Sequence, residues 1–202
     1  MIAVLAALLA GARPAHASSA LELVRIAKSH EVAHEEDIAL RRYMDALSLD
    51  PTCDEAYLGL GALRARRGDL REAERVYSVA LEHVPDLRAA RTARAHVRRA
   101  LGMRAESVDD LLTAAGGEDD VAALRVLARW YGEDGQTPAQ LAVWRRIAVR
   151  AESTQDAVLL HEARTMVRAL VILVGPADPA TSPPDDRNGV RRTIAGAALR
   201  RR

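Results

Sequence analysis

The residues best spaced for chemistry are His30-Glu31-Val32-Ala33-His34. Two histidines one helical turn apart can hold a zinc ion, and a glutamate between them can serve as the general base of a hydrolase. The arrangement requires continuous helix from His30 to His34. A longer form of the motif, with a glycine and a third histidine, is not present, because Asp37 and Leu40 stand at those places. Glu55 can be nominated as a third ligand, but no spacing rule selects it. The zinc-hydrolase reading therefore stays as an alternative carried by His30 and His34 alone.

Three other groups of reactive or charged residues have plainer readings. Cys53 is the only cysteine, which excludes an internal disulfide and a zinc ribbon. It follows Pro51 at a helix start, where a small neutral residue fits. Arg67-Gly68-Asp69 spells an adhesion tripeptide, but Gly-Asp is also what a turn between helices needs. Arg88, Arg91, Arg94, Arg98, Arg99 and Arg104 make a basic helix without an acid inside it, and Asp109, Asp110, Glu118, Asp119 and Asp120 follow closely enough to pair with it. Without aromatic residues to stack bases, nucleic acid is not the expected ligand of that helix. No glycine-rich phosphate loop and no Ser, His and acid set can be placed, so an enzyme is not indicated and no cofactor is implied.

The elements that must carry these residues are helices. Ala, Leu and Val supply most of the 49% apolar residues, Phe is absent, and aromatics are 3% of the 202-residue chain, a poor composition for strands. With 29 basic and 28 acidic residues there is no global field to draw the chain to nucleic acid or an anionic membrane. Ile2 to Ala12 is apolar, and Ala15 and Ala17 lie before Ser18 as in a secretory cleavage site. Residues 1–17 are therefore read as a signal peptide, with Pro14 ending its helix but no Lys or Arg before the apolar run; the mature chain is then extracytoplasmic, periplasmic or secreted, and cytoplasmic if the segment is instead a helix of an incomplete repeat. No segment is long enough to span a bilayer.

Self-similarity organises the rest. The step that carries Pro51 to Pro85 also carries Ala39 to Ala73, Tyr43 to Tyr77, Ala46 to Ala80 and Leu47 to Leu81. From Asp54 to Leu87 the order is Tyr57, Leu60-Gly61, Gly68-Asp69, Ala73, Tyr77, Ala80 and Pro85, with Arg64 where an aromatic is usual. Step and order together resemble the tetratricopeptide repeat. That repeat is a pair of antiparallel helices in which small residues permit close approach, an aromatic fills the gap to the next pair, and Pro stops the second helix. Ala20 to Cys53 is a second copy, with Leu23, Ile26 and Ala27 on its first helix and its turn at His34-Glu35. The resemblance implies an all-α solenoid of antiparallel helix pairs over residues 20–151.

Beyond Arg88 the agreement decays. In the strict frame Arg91, Arg94 and Arg98 fall at core places, so the register is expected to slip by one residue, turning the arginines outward and putting Ala90, Ala93, Val97 and Leu101 on the packed face. A short helix from Glu106 to Ala115 follows, then a break at Gly116-Gly117. A degenerate pair comes next, Asp119 to Tyr131 and Pro138 to Ala151. Residues 152–175 form a long C-terminal helix, from Thr154 to Val174 and capped by Ser153 or Thr154, whose last turns are apolar all round. Residues 176–202 read as a flexible linker and basic tail.

The resemblance also implies a function, the holding of a partner protein or peptide against the inner face of the stack, lined by the first helix of each pair. It would put Val24, Lys28, Glu31, Leu58, Ala62, Ala65 and Arg66 on that face, with His96 and Arg99 from the third pair. The clamp of Lys, Asn and Arg that some relatives of the repeat use for a carboxyl terminus is not reproduced, because Leu58 and Ala62 stand at two of its places. The alternative is a structural subunit of an envelope complex, or a homodimer, joined through the apolar end of the C-terminal helix.

Overall fold

The computed structural model describes residues 13–116 and 120–175. The whole apolar stretch before Arg13, the residues Gly117, Glu118 and Asp119, and the linker and basic tail lie outside the described residues. The described residues form nine helices and no strand: α1 (Arg13–Val32), α2 (Glu36–Leu49), α3 (Asp54–Arg66), α4 (Leu70–His83), α5 (Arg88–Ala100), α6 (Arg104–Ala115), α7 (Val121–Glu133), α8 (Thr137–Ser153) and α9 (Ala157–Val174). They divide into two units, Met1–Trp130 and Tyr131–Arg202.

In the first unit α1 packs on α2, α3 on α4 and α5 on α6, and each later first helix also meets the pair before it. The sequence dictates this arrangement. Ala39, Leu40, Tyr43 and Ala46 fall on one side of α2, and Ala73, Tyr77 and Ala80 on one side of α4, and both stripes are buried. One core joins Val24, Ala27, Tyr43, Leu60 and Leu63. A second joins Tyr57, Tyr77, Ala90 and Val97. Complete burial of a leucine such as Leu63 or Leu111 contributes about 1.5–3 kcal/mol, more than the helices' own propensities supply.

Ala90, Ala93, Val97 and Leu101 do pack on the second core as expected, but the register of the repeat does not slip. α5 begins at Arg88 as α3 begins at Asp54, and α6 begins at Arg104 as α4 begins at Leu70, the same step that carries Pro51 to Pro85. The left-handed residue in the turn within each pair keeps that step too: His34 (φ 60°), Gly68 (83°) and Gly102 (81°). Arg94 and Arg98 therefore stand where Leu60 and Arg64 stand one repeat earlier, and they point inward. What makes this tolerable is that each has a carboxylate within reach, as described below.

Two boundaries also differ from expectation. The C-terminal helix starts at Ala157, capped by Asp156, whose carboxylate accepts the Leu159 N–H at 3.0 Å. Ser153 and Thr154 do not cap it, because their hydroxyls donate backward to the Arg150 carbonyl at 2.8 and 3.0 Å and finish α8. Gln155 (φ 55°) then reverses the chain. At the other end Pro14 lies in the first turn of α1, where a missing N–H costs nothing, so it opens that helix and does not leave Ala15 to Ser18 extended.

Candidate partner-binding face

The zinc motif is taken apart by the turn that follows α1. The helix ends at Val32 and His34 sits beyond it in a left-handed conformation, so the two imidazoles are not on one continuous helix. His30 Nδ1 lies 2.6 Å from a Glu35 carboxylate oxygen. Glu31 accepts from the Tyr43 hydroxyl and from the Arg66 guanidinium, and Tyr43, buried and bonded to that carboxylate, has its hydroxyl pKa pushed well up. Among the described residues no three His, Cys, Asp or Glu side chains gather to hold a metal ion.

Glu31 thus ties the first repeat to the second, and two of the residues expected on the inner face, Glu31 and Arg66, meet each other. Arg67 of the adhesion-like tripeptide does the same nearby, donating to Asp37 at 2.6 Å, while Asp69 accepts from Arg64 at 3.1 Å. Cys53 is buried at the start of α3, and burial pushes its thiol pKa up, so it is held protonated.

The other expected face residues are distributed unevenly. Val24 is 3% exposed and belongs to the first core with residues of α2 and α3. It is a packing residue. Lys28 is exposed, and Leu58, Ala62 and Ala65 on α3 are half-buried, spaced so that they share one side of the helix. Leu58 and Ala65 also lean on the second core.

His96 and Arg99 come together on a residue that sequence reasoning missed. Trp130 of α7 is 3% exposed. The His96 imidazole meets its ring edge-on with centroids 5.3 Å apart, and the Arg99 guanidinium carbon lies 5.0 Å from its centroid, a cation–π contact. His96 keeps an exposed edge, but desolvation of its ring, and then the Arg129 charge, lower its pKa below 6.5. The neutral ring is the favoured form in the fold, so its contribution to stability is complete above pH 6.5 and is lost as pH falls toward the lowered value. A titration of the imidazole protons by NMR should find His96 still neutral at a pH where an unperturbed histidine is half charged.

The arginines of α5 do pair with Asp110, as their order in the chain suggested, but inside the seam and not on an outward face. Arg94 makes a two-pronged contact with Asp110 of α6, at 2.9 and 2.7 Å, and donates to Ser78 Oγ of α4 at 3.0 Å. Arg98 bridges the same Asp110, at 2.9 Å, and Glu74 of α4, at 3.0 and 2.7 Å. Asp110 is 3% exposed. The signal for this was the frame itself: one repeat on, Arg94 replaces Leu60 and Asp110 replaces Val76, an apolar contact rewritten as an ion pair.

No protein-family model matches the chain, and no curated protein does. Solved structures do. A tetratricopeptide repeat protein from Parabacteroides merdae superposes with a TM-score of 0.61 at 18% identity, over 76% of this chain and 60% of that one, so this chain spans about three fifths of its length. YrrB, a repeat protein of the same kind with an unusual peptide-binding site, gives 0.53 at 17% identity, over 75% and 86% of the two chains. PilW, a type IV pilus biogenesis factor, gives 0.53 at 17% identity, over 74% and 77%.

Proposed function

We infer that this chain, an all-helical array with the tetratricopeptide-repeat fold, is a scaffold that holds a partner protein or peptide against the first helices of its N-terminal pairs. The observation that carries the reading is the strip Leu58, Ala62 and Ala65 on α3, apolar, small and only half covered, with Lys28 and Arg66 beside it. A strip of small residues admits another chain closely, and flanking cations orient a segment with some acidic side chains. Resemblance in fold to YrrB, whose peptide-binding site is on record, supports the same class of role.

The test is a cross-linked purification from the native host. Ala62→Arg with Arg66→Glu should cut recovery of the partner at least about tenfold, as loss of a contact at an interface centre does. Arg75→Glu on α4 should leave recovery unchanged. Equal loss in both variants removes the reading. The same preparation tests export, which the apolar stretch and the small residues before Ser18 support: a mature chain beginning at Ser18 fits an extracytoplasmic scaffold, and one beginning at Met1 does not.

A second reading, a homodimer or an envelope subunit, has its own observation. At the end of α9, Ile172 is 80% and Leu173 74% exposed, whereas Leu170 is buried and belongs to the packing of its own unit. A mass that rises with concentration and falls back in Leu173→Glu would favour it.

A further inference from the structure

In the C-terminal unit α8 and α9 form an antiparallel pair with an open groove of about 1000 Å³ between them. Its floor is apolar, from Val149 on α8, 64% exposed, and Leu160 and Val167 on α9. Its walls are basic, from Arg145 on α8 and Arg164 and Arg168 on α9. Arg164 donates to Glu152 at 2.9 Å. Arg168 reaches only the Thr165 hydroxyl, at 3.4 Å, and among the described residues Arg145 has no acidic partner. The groove therefore carries more positive charge than its own side chains neutralise.

The first unit shows what such a seat receives. There α5 also carries two arginines one turn apart, with a glutamate supplied by the preceding second helix, and the helix α6 lies against it. α6 buries Leu111 and Ala114 and brings Asp110 to both arginines. Each of α1, α3 and α5 has the next helix in the chain packed on it.

We propose that the α8–α9 groove is a second docking site, distinct from the α1–α3–α5 face, and that it takes an amphipathic helix of a partner protein with carboxylates beside its apolar stripe. The apolar stripe covers Val149, Leu160 and Val167, and the carboxylates pair with Arg145, Arg164 and Arg168. The chain's own residues 190–202 are a poor occupant on charge, since they include five arginines and no acidic side chain.

The probe is a fluorescent, helix-stapled peptide of the α6 sequence, residues 103–116, titrated into the intact chain, whose own α6 already fills the seat on α5. A matched peptide has Glu106, Asp109 and Asp110 replaced by lysine. The acidic peptide should bind in the micromolar range and the lysine peptide at least about tenfold more weakly. Arg164→Glu with Arg168→Glu should reverse that preference, and gain of binding by the lysine peptide shows that the variant is folded. Equal binding of both peptides, no binding of the acidic one, or indifference to the two substitutions overturns the proposal. So does a chain that is dimeric through this groove, or one that binds the acidic peptide only after residues 190–202 are removed, because the occupant would then be a second copy or the tail.

Discussion

Asp110→Ala lowers the stability of the N-terminal unit by about 3–5 kcal/mol, because it leaves two arginines in a dry seam without the carboxylate they share. Asp110 is 3% exposed, and the Arg94 and Arg98 side chains are 16% and 18% exposed, so water replaces the lost contact only in part. Glu74 still meets Arg98 at 2.7 Å, but Arg94 keeps only the Ser78 hydroxyl. Removing the pair as a pair has a different outcome. Arg94→Leu with Asp110→Val installs the residues that the previous repeat has at Leu60 and Val76, and burying apolar groups of suitable volume in place of ions is often neutral or stabilising. Urea unfolding of the single and double variants, followed by circular dichroism, decides it. A double variant no more stable than Asp110→Ala would mean that the seam depends on charge and not merely on being filled.

Gly61→Ala is the second large effect, at about 1–3 kcal/mol of destabilisation. A methyl group at Gly61 would lie 2.5 Å from the Tyr77 ring, and that ring is 3% exposed in the second core with little room to withdraw. Burial has already pushed the Tyr77 hydroxyl pKa to about 12. The next repeat holds the solution: at the equivalent places Ala95 and Leu111 replace Gly61 and Tyr77, and both are fully buried. Gly61→Ala combined with Tyr77→Leu should therefore cost less than the sum of the two single changes, with a coupling above about 0.5 kcal/mol in a double-mutant cycle. Strict additivity would show that the glycine and the aromatic ring are not in contention for the same space.

The helix pairs were readable in the sequence wherever an apolar residue marked the frame. Tyr43, Tyr77, Ala46, Ala80 and the prolines announce the period, and the inner core of α1 to α4 follows from them. The period was lost at Arg94 because a core position was expected to be apolar, and a charge there reads as a helix turned outward. Only the carboxylate one helix later, at Asp110, makes an inward arginine acceptable; the acids that follow the basic helix announced the pairing, but not that it would lie inside the stack. Gly102, one period after Gly68, was the backbone signal that the frame persisted. Of the expected inner face, Leu58, Ala62, Ala65 and Lys28 are on the surface or partly so. Val24 is not, since helical spacing alone cannot separate a residue facing the next pair from one facing a ligand. The contact of His96 and Arg99 with Trp130 depends on how α5 and α7 approach, which no single segment encodes.

The ion-paired seam also bears on the order in which the chain becomes dry. The pairs α1–α2 and α3–α4 meet mainly through apolar contacts, with a single carboxylate, Glu31, joining them to Tyr43 and Arg66. The third pair cannot close in the same way, because Arg98 needs Glu74 from α4 and Asp110 from α6 at once, and desolvating it with either missing is unfavourable. Docking of α5 and α6 onto α4 is for that reason expected to be coupled, so that a chain cut between Arg98 and Asp110 would leave the α4 end less well protected than the full pair does.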